Sequence, residues 1–419
     1  MGALTDGTDI KEADPPSLWR STQFRSYLAS TAFSGTAFSM QQLLVSWMLV
    51  GILLLPADTV GIVQAVIGIP GLFLMLLGGA SADRSDPRSL LIKVYAVAWL
   101  IPFALALTIW NDLLNLWSVM LFGLAMSTVM SFSSPAQQSI LNRIAGRELQ
   151  KGVTAATAVG FIVQIVGLTL AGQMERVGLM NVLLVQGSCL LMGAFAVHRI
   201  AAMESRWVET GQATWEVVLE GLKATFRSRV IFQTLLINFI SSIFNAGAFM
   251  TVLPFIIKRV YEGNALGLAF VMMLFFAGAA ISNLMMLRLM PFERPGRLFL
   301  AMQLSRVVIV MFLWFSPPWW LLLIVLFAWG LNMGVTSTLA RTIVQESAEP
   351  EYLGRIMSVF SLGMLGSAPI GAIVLGFIIE AFGTLNALIP AMFVSTFLFL
   401  FGVFATRVWR YRSPKAVAP

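Results

Sequence analysis

The fold is decided by residues 59–88, which read TVGIVQAVIGIPGLFLMLLGGASADRSDPR. Residues 59–82 contain no Asp, Glu, Lys, Arg or His, whereas Asp83, Arg84, Asp86 and Arg88 follow directly. An α-helix needs about 20 mainly apolar residues to cross the hydrocarbon core of a bilayer. The stretch therefore predicts a transmembrane helix that ends in a short charged loop.

The same pattern extends over the whole chain of 419 residues. Hydrophobic residues make up 58% and charged residues 11%, against roughly 45–50% and about 25% in an average soluble domain. Breaking the apolar runs at polar residues and at Gly and Pro predicts spans at 26–54, 59–81, 89–110, 114–136, 152–174, 178–198, 231–257, 265–287, 298–316, 320–340, 356–379 and 384–406. The sequence thus predicts an all-α integral membrane protein with twelve transmembrane helices in two six-helix bundles.

The basic residues predict the orientation of these spans. Of 27 Lys and Arg residues, only Arg176, Lys258 and Arg259 fall in outer loops if both termini are cytoplasmic. Loops rich in Lys and Arg stay on the cytoplasmic side. We therefore expect a multi-pass protein of the cell inner membrane with both termini in the cytoplasm.

A polar segment near the middle of the chain predicts two halves. Within it, apolar residues recur at helical spacing beside charged ones, which predicts an amphipathic helix along the membrane surface. Glu148, in the loop after span 4, recurs 203 positions later as Glu351, with two further identities at the same offset; such a repeat is typical of parallel bundles. The predicted organisation is a cytoplasmic tail at 1–20, a bundle at 21–200, a central cytoplasmic loop with the amphipathic helix at 201–229, a bundle at 230–406 and a tail at 407–419.

The charged loop at residues 79–88 reads GASADRSDPR and resembles the signature loop of the major facilitator superfamily, Gly-x-x-x-Asp-Arg-x-Gly-Arg-Arg. Gly79, Asp83, Arg84 and Arg88 match this pattern, while Asp and Pro stand at positions 86 and 87 in place of Gly and a basic residue. The resemblance implies the major facilitator fold and a transporter.

The resemblance also implies a gate at the cytoplasmic end. In the family, the matching aspartate faces the start of span 11 and holds the cytoplasmic side shut, as suits a carboxylate near a helix N-terminus. The implied gating residues are Gly79, Asp83, Arg84, Arg88 and Arg355. The alternative is that these are ordinary loop charges that set the topology.

Shorter motifs resemble one branch, the enterobactin-exporter-like and macrolide-efflux-like facilitators. They are MQ at 40–41 with Trp47, PAQQ at 135–138 before RE at 147–148, EGL at 220–222 and GRIMS at 354–358. The likeness implies a secondary active transporter, a proton-coupled antiporter that exports an amphipathic small molecule, drug-like or a secondary metabolite, by alternating access. The alternatives are a dedicated siderophore exporter, a lysolipid flippase, and a non-transporting membrane assembly factor or sensor.

Amide side chains within the apolar spans are the candidate substrate contacts. They lie on spans that line the family's central cavity: Gln41, Gln42, Gln64, Gln164, Asn238, Asn245 and Asn332. A sparse set of amides among apolar side chains suits a large amphipathic ligand, and Gln41 is the leading candidate. Hydrogen bonds between helices explain buried amides equally well.

Arg306 is the charge predicted to lie within a span, and it is the eighth candidate substrate contact. A charged side chain at the bilayer centre costs roughly 2.5 kcal/mol or more, so the residue requires a role. Arg306 is either an anion or gating contact, or it snorkels to the cytoplasmic surface because span 9 begins later than predicted.

Neither catalysis nor metal binding is supported by the sequence. The chain has one Cys and one His, His198 at the inner end of span 6, and no phosphate-binding loop or nucleophile–base arrangement. We expect no enzyme activity and no cofactor; the expected partners are a small-molecule substrate and the lipid bilayer, without nucleic acid, and the expected state is a monomer. No Asp or Glu falls mid-span, so proton coupling rests on the resemblance. The carboxylates at span ends, among them Glu175 and Glu380, are able to titrate, although carboxylates in such places are usually just solvated.

Overall fold

The computed structural model describes residues 18–84, 86–203 and 214–414, without the side chains of residues 76–84, 147 and 214–218. Within this part of the chain, twelve helices are long and apolar enough to cross a membrane. These spans, numbered 1 to 12, are Thr22–Ile52, Ala57–Arg84, Pro87–Trp110, Leu116–Ala145, Leu149–Gly172, Leu179–His198, Arg229–Val260, Ala265–Leu289, Pro295–Trp314, Trp319–Ser347, Leu353–Phe382 and Asn386–Ala405. The predicted all-helical membrane fold is confirmed.

Local sequence explains where several spans begin. Asp86 is the N-cap of span 3 and accepts a hydrogen bond from the Arg88 backbone N–H, with Pro87 at the first helical position. Both choices stabilise a helix start, because a carboxylate satisfies a free N–H and proline has none to satisfy. Span 9 likewise begins with proline, at Pro295, three residues earlier than predicted. Arg306 therefore lies eleven residues into span 9, at a depth of about 16 Å.

The two halves pack by the same scheme. In the first bundle the main helix pairs are spans 2 with 4, 1 with 5, 1 with 6, 3 with 4 and 3 with 6. In the second bundle they are spans 8 with 10, 7 with 11, 7 with 12, 9 with 10 and 9 with 12. Adding six to each span number in the first set yields the second, which is the relation expected of a duplicated six-helix unit.

The bundles meet through spans 2 and 11 and through spans 5 and 8. Small residues line both contacts near the end where spans 2 and 8 begin, which we call the outer end after the predicted orientation. Gly61 lies so close to span 11 that a Cβ there would be 2.2 Å from the Ala372 carbonyl oxygen, and Gly172 packs in the same way against Ala269. Small residues allow helix backbones to approach closely in a membrane.

A further helix, Thr214–Arg227, lies between spans 6 and 7 in the chain and packs on spans 11 and 7. We call it the linking helix. Gly221 is its closest point of approach, since a Cβ there would lie 2.5 Å from the Arg355 carbonyl oxygen. The linking helix therefore covers the start of span 11.

Candidate functional site

The predicted cytoplasmic gate is described only in part. Gly79, Asp83 and Arg84 lie at the end of span 2, and their side chains fall outside the described residues. The Arg88 guanidinium donates a hydrogen bond to the carbonyl of His198 at 2.8 Å, so it joins the start of span 3 to the end of span 6. Gating by these residues stays a prediction.

Arg355 joins span 11 to the linking helix. Its guanidinium forms an ion pair with Glu220 at 2.6 Å and lies 5.8 Å from the ring centroid of Tyr352. Both groups are only partly exposed, so the pair is shielded more than a surface ion pair, whose contribution is usually small. Glu220 belongs to the EGL motif, but the sequence did not indicate its partner.

The amides of the first bundle form two neighbouring pairs. Gln186 donates to the Gln41 side-chain oxygen at 3.2 Å and to the Ala37 carbonyl at 2.9 Å. Gln164 donates to Gln42 at 3.4 Å. Spans 1, 5 and 6 are thus connected by side-chain amides. Gln186 is fully buried and was missed from the sequence, although an amide seven residues into an apolar span is itself a signal that a partner is needed.

Gln64 connects the two bundles. Its amide nitrogen donates to the Met250 carbonyl at 3.2 Å, and its oxygen accepts from the Thr251 hydroxyl at 2.8 Å. Both partners lie on span 7, whereas Gln64 lies on span 2. A bond of this kind has to break whenever spans 2 and 7 separate.

Asn245 and Asn238 lie at different levels of span 7. Asn245 accepts a hydrogen bond from the indole N–H of Trp329 on span 10. Asn238 donates to the Met364 sulfur at 2.9 Å and lines a cavity of about 450 Å³ between spans 7 and 11. Of the candidate substrate contacts, Asn238 is the one that borders this cavity.

Arg306 points into the second bundle. It is 3% exposed and donates to Asn332 at 3.1 and 3.2 Å, to Gln303 at 3.0 Å, and to the Ser241 and Thr336 hydroxyls. Within the described part of the chain, these hydrogen-bond partners are all neutral. Arg306 thus joins spans 7, 9 and 10, and the possibility that it snorkels to the cytoplasmic surface is wrong because span 9 begins at Pro295.

Two carboxylates connect the bundles at the outer end. Glu380, at the end of span 11, accepts a hydrogen bond from the backbone N–H of Ala57, the first residue of span 2, at 3.1 Å. Glu175, just after span 5, accepts one from the backbone N–H of Ala265, the first residue of span 8, at 3.3 Å. Each carboxylate therefore binds the N-terminus of a helix in the other bundle, where unpaired N–H groups and the helix dipole favour negative charge. The side chains of Glu175 and Glu380 are exposed, as the sequence suggested, but the sequence did not indicate these partners.

Trp47 strengthens the contact at Glu175. Its indole N–H donates to the same carboxylate at 2.8 Å, and the Lys258 ammonium lies 5.4 Å from its ring centroid. Trp47 is on span 1 and Lys258 on span 7, so this cation–π contact also crosses between the bundles. With the glycine contacts of spans 2 and 5, these side chains close the outer end.

Two bundles repeated in parallel, joined by polar contacts that can separate, are the architecture of a secondary transporter rather than of an enzyme. The chain belongs to the major facilitator superfamily, whose family model matches residues 27–363. The predicted superfamily is therefore confirmed.

Solved structures share the fold. The nucleoside transporter NupG has a TM-score of 0.72 at 14% identity, and the match covers 93% of this chain and 99% of that one. A proton-dependent oligopeptide transporter has a TM-score of 0.70 at 11% identity, covering 93% and 98%. A peptide transporter in complex with sulfate has a TM-score of 0.68 at 12% identity, covering 93% and 96%. At these identities the likeness establishes the fold alone, and no curated protein matches the sequence.

Proposed function

We propose that this transporter exports amphipathic small molecules across the cell inner membrane by alternating access, with both termini in the cytoplasm. The observation that carries alternating access is the pair of carboxylate contacts at the outer end, because each joins one bundle to a helix N-terminus of the other. Separating the bundles at that end breaks both contacts together and leaves each bundle intact.

The strength of these contacts suits a repeated cycle. A carboxylate at a helix N-terminus contributes about 0.3–1 kcal/mol when exposed and up to about 2 kcal/mol when partly buried. Two such contacts bias a conformational equilibrium without locking it. In this mechanism Asp83, with Arg84 and Arg88 of the same motif and Arg355 at the start of span 11, holds the opposite end in the alternate state, which would give each end of the molecule its own carboxylate contact.

The amides support an amphipathic substrate. Gln41 and Gln42 are half-buried and bonded to neutral groups, so they offer polar contacts without a net charge. Apolar walls with a few oriented polar groups are typical of small-molecule sites. Export, and coupling to protons through carboxylates at span ends, follow from the branch resemblance.

A ligand panel tests this proposal. The thermal stability of the purified protein is measured with lipophilic cations, macrolides, catecholate siderophores and fatty acids, and with nucleosides and dipeptides because the similar structures are nucleoside and peptide transporters. A ligand that binds only the folded state raises its stability, by about 2.7 kcal/mol at a hundredfold excess over Kd. Flux of each stabilising compound is then measured in proteoliposomes.

Gln41→Ala is the informative variant, and Gln150→Ala, an exposed glutamine at the start of span 5, is its matched control. We expect the first to weaken ligand stabilisation and outward flux at unchanged expression, and the second to change neither. Stabilisation only by nucleosides or dipeptides would contradict export of amphiphiles. Absence of both stabilisation and flux for the whole panel would favour an assembly factor or sensor.

A further inference from the structure

The cavity between the linking helix and spans 7 and 11 presents a hydrocarbon surface. Its walls include Leu222 and Phe226 of the linking helix, Leu235 and Phe239 of span 7, and Leu362 of span 11. Two lining residues carry polar groups: the Thr225 hydroxyl donates to the Gly221 carbonyl, and the Asn238 amide nitrogen donates to the Met364 sulfur, so the Asn238 side-chain oxygen is the main polar group left for a ligand. A ligand in this cavity is therefore held mainly by apolar contact.

The shape of the cavity suits a chain rather than a ring system. Its lining on span 11 runs from Val359 to Ile370, a length of about 16 Å along a helix. Glycines keep the floor open, since a Cβ on Gly363 would meet only Phe239, at 3.7 Å. At Gly366 the cavity reaches the other bundle, because Leu72 of span 2 lies 3.7 Å from a Cβ built there.

The mouth of the cavity is amphipathic and basic. Leu219, Leu222 and Phe226 are 37%, 39% and 59% exposed and lie along one face of the linking helix. Lys223 and Arg227 are exposed on the neighbouring face. The nearby carboxylate of Glu220 is engaged by Arg355, so among the linking-helix side chains that the structure describes, those of Lys223 and Arg227 present positive charge beside the apolar face. A helix of this kind lies at the membrane interface and attracts anionic headgroups.

We propose that this cavity binds the alkyl chain of a single-chain anionic amphiphile whose headgroup pairs with Lys223 and Arg227. The inference rests on the proposed function and deepens it by naming the chemistry of the substrate. The amphiphile enters from the inner leaflet beneath the linking helix, and the far end of its chain reaches the contact between spans 2 and 11. Charge complementarity at the mouth selects an anion over a cation, and the length of the apolar lining along span 11, with a volume of about 450 Å³, suits one alkyl chain.

Photolabelling tests the site directly. The probe is a fatty acid with a diazirine in its alkyl chain, added to the protein in nanodiscs of zwitterionic lipid, and the comparison probe carries the same chain with a quaternary ammonium headgroup. Labelled peptides are mapped by mass spectrometry. We expect adducts of the fatty acid to concentrate in residues 219–239 and 359–370, at several times the yield of the cationic probe. Adducts spread evenly over the lipid-facing spans, or equal yields of the two probes, would overturn the proposal.

Two sets of variants test the cavity and its mouth independently. Gly363→Leu fills the cavity and is expected to lower labelling at least fivefold, whereas Gly160→Leu, in span 5 with no atom within 4 Å of its Cβ position, leaves it unchanged. Lys223→Gln with Arg227→Gln, on the exposed surface, should lower labelling by the fatty acid to the level of the cationic probe. Equal labelling in Gly363→Leu and Gly160→Leu, or an unaffected double variant, refutes the site.

The two proposals fail separately. If the fatty acid labels the cavity specifically but no flux of any panel compound is observed, the binding site stands and export fails. If amphiphiles are transported while labelling of the cavity is unspecific, export stands and the site fails.

Discussion

At the scale of single residues, Arg306 holds an unusual position, because a buried guanidinium is surrounded by neutral acceptors. Its partners lie on spans 7, 9 and 10, and each accepts a hydrogen bond from the guanidinium. Arginine suits this task, since its five N–H groups form a rigid fork and are not easily replaced by lysine. The residue therefore acts as a brace for three helices, whether or not it also meets a substrate.

Removing this brace should destabilise the second bundle. Arg306→Leu leaves the buried side-chain oxygen of Asn332 without a donor and removes the hydrogen bonds to Gln303 and to the two hydroxyls, so we expect a loss of about 3 kcal/mol in the free energy of unfolding. Arg306→Lys should lose part of this amount. Thermal unfolding of the purified variants measures the effect, with Arg288→Leu, an exposed arginine of span 8, as control. Unchanged stability of Arg306→Leu together with lost transport would instead make Arg306 a substrate contact.

Glu148 makes the attachment of the N-terminal segment at Leu18 depend on pH. Hydrogen bonds from the Lys151 ammonium, at 2.6 Å, and from the Leu18 backbone N–H, at 3.0 Å, hold the pKa of Glu148 below its usual value. Because the folded pKa is depressed, the contact is fully present above the unfolded pKa, about 4.3, and is lost as the pH falls through the lowered value.

Amide hydrogen exchange of residues 18–24 measures this contact, after correction for intrinsic rates. At pH 7 we expect Glu148→Gln to lose the protection that the unaltered protein loses only in acid. Glu349→Gln, an exposed carboxylate between spans 10 and 11, serves as control. Equal protection in Glu148→Gln and Glu349→Gln would show that the N-terminal segment is held by other contacts.

At the scale of helices, the linking helix depends on one glycine. Gly221 lies against the backbone of span 11 at Arg355, and the adjacent Glu220 forms its ion pair with the same residue. Alanine favours a helix over glycine by about 1 kcal/mol. If the linking helix becomes less ordered when Gly221 is replaced by alanine, the cause is therefore the lost contact with span 11 and not a weaker intrinsic preference for helix.

We expect Gly221→Ala to displace the linking helix and raise hydrogen exchange over residues 214–227 severalfold. Gly354→Ala is the matched control, because it lies beside Arg355 in span 11 but has no atom within 4 Å of its Cβ position. Unaltered exchange in Gly221→Ala would mean that the linking helix tolerates a larger separation from span 11.

At the scale of helices, the sequence predicts the spans but not the partners that each span contacts. The existence and number of spans follow from uncharged length, and the superfamily follows from residues 79–88. The partners do not follow, because hydrogen bonds such as that between Ala57 and Glu380 join residues 323 positions apart. Periodicity indicates which residues share a helix but not which helix face meets another bundle, so the partners of Glu175 and Glu380 were not predicted and Gln186 was overlooked.

At the scale of the whole molecule, the duplicated packing produces two equivalent carboxylate contacts between the bundles. Glu175 follows span 5 and binds the start of span 8, while Glu380 ends span 11 and binds the start of span 2. Shifting each span number by six, the relation between the two bundles, turns the pair of spans 5 and 8 into the pair of spans 11 and 2. The outer closure is therefore built twice, once on each side of the molecule, and in the proposed mechanism both copies open in the same movement.

Weakening both copies should shift the conformational equilibrium. Glu175→Gln with Glu380→Gln removes the charge at two helix N-termini, worth about 0.5 kcal/mol each, so we expect the outward-open population to rise about fivefold. Distances between spin labels at Asp112 and Ser316, in a Cys189→Ser background, report the separation of the outer ends. Glu262→Gln removes an exposed outer carboxylate as control. No change in the distance distribution of the double variant would exclude these carboxylates as the outer closure.

Arg306 also has an electrical consequence. Its cationic side chain is fixed about 16 Å along span 9, whereas the polar cluster of the first bundle, formed by Ser34, Tyr95 and Gln137, is made of uncharged side chains. Moving one elementary charge across the full membrane potential corresponds to about 2.3 kcal/mol per 100 mV. If the second bundle tilts during the cycle, the membrane potential does work on the charge of Arg306 in that half and little work on the first half. The two halves, although alike in packing, would then respond differently to voltage.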